Sequence, residues 1–104
     1  MQTRAFRMNL NPGMAAEYRL RHEQIWPELA LRDAGVVDYR IFLDEPTHAL
    51  FAVLTHHDEH GLDALPGTPL MQRWWHYMHD IMPSHADHSP VSVNLEPMFC
   101  LAPG

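Results

Sequence analysis

The feature that most constrains this chain is the run Leu50-Phe51-Ala52-Val53-Leu54, apolar at every position and lying within the stretch from His48 to His56. In an extended strand alternate side chains point to opposite faces, so such a run is apolar on both. It asks for cover on two sides. The neighbouring stretch 36–43 reads as a strand too, with Val37, Tyr39, Ile41 and Leu43 on one face and Phe42 on the other. Between the two, Asp44-Glu45-Pro46-Thr47 is a tight turn, so residues 36–43 and 48–56 are expected to form a hairpin.

The rest of the chain alternates strand and helix signals around that hairpin. Residues 4–10 place Phe6, Met8 and Leu10 on one face and Arg7 and Asn9 on the other, a half-buried strand. Asn11-Pro12 supplies a cap and a helix-compatible start, after which Met14, Tyr18, His22, Ile25 and Leu29 recur as an amphipathic stripe. Pro27 cannot donate to the carbonyl of Glu23, so the helix is expected to kink or restart near Trp26 and to stop at Gly35. Gly61 to Pro69 reads as loop or short helix. Thr68-Pro69 then opens a second long helix with Met71, Trp74, Trp75, Met78 and Met82 on its apolar side, ended by Pro83. Residues 83–94 read as a polar loop and 95–101 as a last strand.

The order strand–helix–strand–strand–helix–strand predicts an α+β chain of one domain, 1–104, with the ferredoxin-like split βαβ (βαββαβ) arrangement: a four-stranded antiparallel sheet carrying both helices on one face. Two helices cover only one side of the sheet, and the two-faced strand leaves the other side apolar. A second copy of the same sheet is the simplest cover, so the patterning predicts a homodimer.

Composition removes several function classes. Thirteen acidic residues against seven arginines give a formal charge of −6, which disfavours a phosphate-tracking, nucleic-acid-binding surface. With 46% hydrophobic and 19% charged residues the chain is globular. No apolar run approaches the ~18–20 residues of a membrane-spanning helix, and no signal-peptide core follows Met1. Cys100 is the single cysteine, so no internal disulfide forms, and a cytoplasmic setting is expected. Read as part of an apolar terminal strand, Cys100 is packing material. Neither a glycine-rich phosphate loop nor a GxSxG elbow is present.

Three constellations can carry chemistry. Tyr18 and His22 lie four residues apart on the core-facing stripe, one above the other. Periodicity leaves two readings of His22 open, a core histidine satisfied by a backbone carbonyl or a general acid–base group in a half-buried cleft. Trp74-Trp75 is either core material or a pair flanking a sugar-sized cleft, where aromatic faces pack on C–H patches; Tyr39 adds an aromatic with a polar handle. The nine histidines also include His56-His57 with His60, His76-x-x-His79-Asp80 and His85-x-x-His88. Structural zinc sites usually recruit cysteines, and HExxH is absent, so no metal site and no cofactor is expected. His48, His56, His57 and His60 read as exposed strand-end and loop residues.

Glu17-Tyr18-x-x-Arg21-His22-x-x-Ile25-Trp26-Pro27-Glu28-Leu29, Tyr39-x-Ile41-Phe42-Leu43-Asp44, Gln72-Arg73-Trp74-Trp75-x-Tyr77-Met78, Asp80-Ile81-Met82-Pro83 and Ser89-Pro90-Val91-Ser92 together resemble the L-rhamnose mutarotases. The resemblance runs from Arg4 to Leu101. It implies a protomer of the derived fold pairing into a dimeric α/β barrel, and an isomerase that interconverts the α and β anomers of L-rhamnose without cofactor. By the same resemblance His22 matches the proton donor, and Tyr18, Tyr39, Trp74 and Trp75 match the sugar-binding positions. The stretch from Leu29 to Tyr39 is shorter than is usual in the family, and Asp38 stands where Asn is commoner. Because fold does not fix function, the same architecture admits a cofactor-independent monooxygenase, a haem-binding protein or a non-catalytic sugar-binding module as alternatives.

Overall fold

The computed structural model describes residues 1–24 and 27–101. Four strands and three α-helices follow one another as β1 (Gln2–Asn9), α1 (Ala15–His22), α2 (Glu28–Asp33), β2 (Val36–Asp44), β3 (Ala49–His56), α3 (Pro69–Met78) and β4 (Val93–Leu95). Short 3₁₀ turns at Leu62–Gly67 and His79–Ile81 bracket α3. The strands form one antiparallel sheet in the order β2-β3-β1-β4, the order the split βαβ pattern requires.

Register decides which side chains meet the helices. Met8, Leu50 and Leu43 stand in line across three strands, as do Phe6, Ala52 and Ile41, and then Leu54 and Tyr39. This face carries the core: Met8, Leu50 and Ala52 pack with Trp74, Met78, Ile81 and Met82. The opposite face shows the cross-strand pair Phe42 and Phe51, with Val93 beyond, all exposed. The two-faced character read from residues 50–54 is therefore real. Among the described residues nothing covers its outer side.

Helical segments depart from expectation at their ends. Asn11 does not cap α1 with its side chain; it spends its amide on the Asp80 carbonyl at 3.3 Å, and Met14 occupies the cap position without a side-chain bond. The long first helix is two helices, α1 and α2, as Pro27 dictates: it stands at the N-cap of α2, where its missing N–H costs nothing. Ile25 and Trp26, where the restart was expected, lie outside the described residues. Leu29 is 70% exposed and leaves the stripe. Gly35 ends α2 with φ +104°, and an added Cβ there would stand 3.2 Å from the Glu59 carbonyl oxygen.

Thr68 caps α3, its Oγ1 accepting the Met71 N–H at 3.3 Å, with Pro69 as the first helical residue. The α-helix itself ends at Met78, before the tighter turn leading to Pro83. The last strand is Val93–Leu95 and not 95–101, since Pro97 has no N–H to continue the ladder with β1. Residues 96–101 run on without regular structure, and Cys100 is exposed, so it is not packing material. His56, expected on the surface, is fully buried. Its Nδ1 bonds the His57 carbonyl at 2.6 Å and its Nε2 faces Arg4 Nη2 at 3.2 Å, which satisfies both ring nitrogens.

Candidate active site

Between the helices and the inner sheet face lies a cleft of about 760 Å³, within the ~300–1,000 Å³ usual for small-molecule sites. Tyr18, His22, Tyr39, Trp74 and Trp75 all line it. The five residues singled out from the sequence thus come together from α1, β2 and α3.

Tyr18 and His22 are neighbours on α1, with ring centroids 4.3 Å apart. Trp74 meets the His22 ring edge-on at 5.4 Å. His22 Nδ1 lies 3.0 Å from the backbone carbonyl oxygen of Tyr18. A carbonyl only accepts, so Nδ1 carries the proton and Nε2 holds a free lone pair. The two readings of His22 left open by periodicity therefore merge, since the ring is satisfied by a carbonyl and also lines the cleft. Burial holds its pKa below the ordinary histidine value, opposed by the bond to Tyr18, so the ring is neutral at neutral pH.

Burial acts in the opposite sense on the phenols. It pushes Tyr18 far up, helped by the proximity of Tyr39, and pushes Tyr39 up to about 12. Both hydroxyls stay protonated and available as hydrogen-bond donors. Tyr39 is set by its place on β2 opposite Leu54 and by an edge-to-face contact with Phe6 at 6.2 Å. Trp74 is buried and also touches Tyr77, at 5.8 Å. Trp75, one residue and about 100° further round α3, is half-buried where the cleft approaches His88 and Pro90. Asp38 is exposed, with its carboxylate on the Arg40 guanidinium at 3.1 Å.

One residue beside this set escaped the reading of the sequence. Arg21, next to His22, donates from Nε to Glu17 Oε1 at 2.8 Å and from Nη1 to the Tyr77 carbonyl at 2.6 Å and Asp80 Oδ1 at 2.6 Å. Its guanidinium also lies 5.0 Å over the Tyr77 ring. The Glu17–Arg21 spacing of four was visible beforehand; its partners at the end of α3 and in the turn after it were not.

The residues 3–101 match the family model described as L-rhamnose mutarotase. An L-rhamnose mutarotase of Brucella anthropi is 60% identical over 97 residues, covering 91% of this chain and 92% of the relative. Another, of Paraburkholderia xenovorans, is 57% identical over 103 residues, covering 97% of this chain and 96% of the relative. The crystal structure of an L-rhamnose mutarotase from Formosa agariphila superposes with a TM-score of 0.89 at 40% identity, over 98% of this chain and all of that one. On sequence and on structure alike, the chain belongs to the L-rhamnose mutarotase family.

Proposed function

We propose that this chain interconverts the α and β anomers of L-rhamnopyranose by acid–base ring opening and closure, with His22 as the proton-transfer group and Tyr18, Tyr39, Trp74 and Trp75 holding the sugar. The observation that carries this reading is the His22 ring, tied at Nδ1 to the Tyr18 carbonyl and lodged between Tyr18 and Trp74 in the cleft.

The reaction needs little beyond placed protons. The anomeric hydroxyl loses its proton, the ring oxygen gains one, and the bond between C1 and the ring oxygen breaks to leave an open-chain aldehyde. Rotation about C1–C2 presents the other face, and the reverse transfers close the ring as the other anomer. Neutral His22 takes the anomeric proton on the Nε2 lone pair, and the imidazolium so formed gives a proton to the ring oxygen as the bond breaks. Closing on the other face runs the two transfers in reverse, leaving the ring neutral. General acid–base groups of this kind contribute typically ~10²–10⁴-fold. Tyr18 and Tyr39, kept protonated by burial, donate hydrogen bonds to sugar oxygens, and the indole faces of Trp74 and Trp75 pack on its C–H patches. The substrate is uncharged, so the charge of −6 has no steering role.

The protein works as a homodimer in which the exposed sheet faces pair into an α/β barrel. The cross-strand pair Phe42 and Phe51, with Val93, supports this, because burying apolar surface from water is favourable at roughly 25 cal/mol per Å². A cytoplasmic setting accords with the free Cys100, and no described helix is long and apolar enough to cross a membrane. Saturation-transfer NMR on L-rhamnose tests the activity. Exchange between the two anomeric proton signals is expected to accelerate in proportion to added protein. No acceleration at any concentration, or the appearance of a haem-type Soret shift on titration with haem, would turn the assignment toward the other users of this architecture.

A further inference from the structure

We infer that His76, His79 and His88 form a binding site for one borderline divalent transition-metal ion of the Zn²⁺ class, at the rim of the cleft and apart from the proton chemistry at His22. Sequence spacing offered only separate pairs, His76 with His79 and His85 with His88. Folding selects one member of the second pair and adds it to the first. One ligating nitrogen from each of the three rings lies within 4.8 Å of the others.

The geometry is specific. His76 and His79 project from the end of α3 and the turn after it, with rings 5.1 Å apart and nearly parallel at 27°. His88 comes from the loop and stacks on His79, centroids 4.0 Å apart, while its Nδ1 stands 3.2 Å from His76 Nδ1. Tetrahedral zinc with Zn–N bonds of ~2.0–2.1 Å asks for nitrogens about 3.4 Å apart. The His76–His88 pair already meets that separation, and ring rotation can bring in the third. His79 Nδ1 bonds the His76 carbonyl, so it carries the proton and leaves Nε2 as the donor to a metal. A backbone partner on the second ring nitrogen is the usual arrangement for a ligating histidine.

The loop is shaped to deliver His88. Its φ is +71°, in the left-handed region that a non-glycine residue seldom occupies. His85 and His88 close a turn (His88 N to His85 O, 2.9 Å), His85 N returns to Ser89 O at 2.8 Å, and Asp87 accepts from Ser89 N at 3.0 Å. Ser84 bridges to Pro90 at the neck. The two carboxylates closest in sequence are committed elsewhere, Asp80 to Arg21 and Asp87 to Ser89. A set of three imidazoles without carboxylate or thiolate suits zinc, cobalt, nickel or copper and not magnesium or calcium, and leaves a fourth position for water. Bound there, the ion links α3 to the 84–90 loop.

The test uses untagged full-length protein stripped with chelator and titrated with Co²⁺ followed by absorption, then with Zn²⁺ in competition. One equivalent of Co²⁺ is expected, with visible ligand-field bands that Zn²⁺ displaces. Asn is at ease in the left-handed region, so His88→Asn keeps the loop while removing the imidazole. His88→Asn and His79→Gln should each weaken Zn²⁺ binding by ~10-fold or more, the scale of losing a ligand or its support. His57→Gln, at an exposed position just after β3, should leave it unchanged. Binding unaltered in either of the first two variants, or no stoichiometric ion on the wild-type chain, overturns the proposal. Circular dichroism of each variant separates ligand loss from misfolding: a variant with lost secondary structure is replaced by His76→Gln, whose side chain is exposed, under the same criteria.

Discussion

Arg21 grips Asp80 with two bonds, Nη1 to Oδ1 at 2.6 Å and Nη2 to Oδ2 at 3.2 Å. With its further bond to the Tyr77 carbonyl, the side chain joins the last turn of α1 to the end of α3. Those are the two elements that carry His22 and Trp74. Arg21 is therefore expected to position the histidine beside it.

A two-pronged carboxylate clasp needs the planar guanidinium, which lysine does not reproduce. Arg21→Lys should lose about 1–2 kcal/mol of stability, a drop of several degrees in Tm for a chain of this size. It should also slow anomer exchange by lowering kcat more than it raises KM, because the sugar-binding side chains remain. A merely structural arginine would lower Tm and leave kcat untouched in the folded protein.

The direction of the His22 shift fixes a pH profile. Burial lowers its folded pKa, so the unprotonated ring persists to more acid pH than a free histidine, whose value is ~6.5. The exchange rate should be level through neutrality and fall on acidification with a midpoint below 6.5. Linkage gives the same sign for stability. The unfolded chain binds the proton first as pH drops, so this contribution is complete above ~6.5 and is lost as pH falls through the folded pKa. An NMR titration of the His22 ring showing a midpoint above 6.5 would contradict both.

L-Rhamnose should perturb tryptophan emission, since Trp74 and Trp75 line the cleft. The response should shrink in Trp74→Phe and in Trp75→Phe and survive in Trp26→Phe. A response that vanishes only with Trp26 would place the sugar elsewhere.

Phe42 and Phe51 are 59% and 37% exposed on the outer sheet face. Sedimentation of the wild-type chain should give twice the 12.0 kDa of a single chain. Phe42→Asp, which sets a charge on that face beside Phe51, should yield monomer or insoluble protein. A wild-type chain that sediments as a soluble monomer would remove the paired-sheet assembly.

Much of this architecture was legible before folding because period-two and period-3.6 patterns are local. The hairpin, the cap at Thr68, the break at Pro27 and the stop at Gly35 all follow from residues a few positions apart. What the sequence hid is long-range or competitive. Asn11 prefers the Asp80 carbonyl to the helix it precedes, Pro97 halts β4 sooner than its apolar neighbours suggest, and His56 is buried because Arg4 and the His57 carbonyl satisfy it. The cleft residues were found by type and spacing. Arg21 and the meeting of His76 with His88 depend on partners 59 and 12 residues away, which no local pattern reports.

The central claim, that His22 moves the proton, is tested most directly by anomeric exchange of L-rhamnose measured by saturation-transfer NMR on the wild-type chain and on His22→Ala. The variant should keep its fold, bind L-rhamnose as read by tryptophan emission, and lose catalysed exchange by ~10²-fold or more. Exchange at close to the wild-type rate in a folded, sugar-binding His22→Ala would contradict the account.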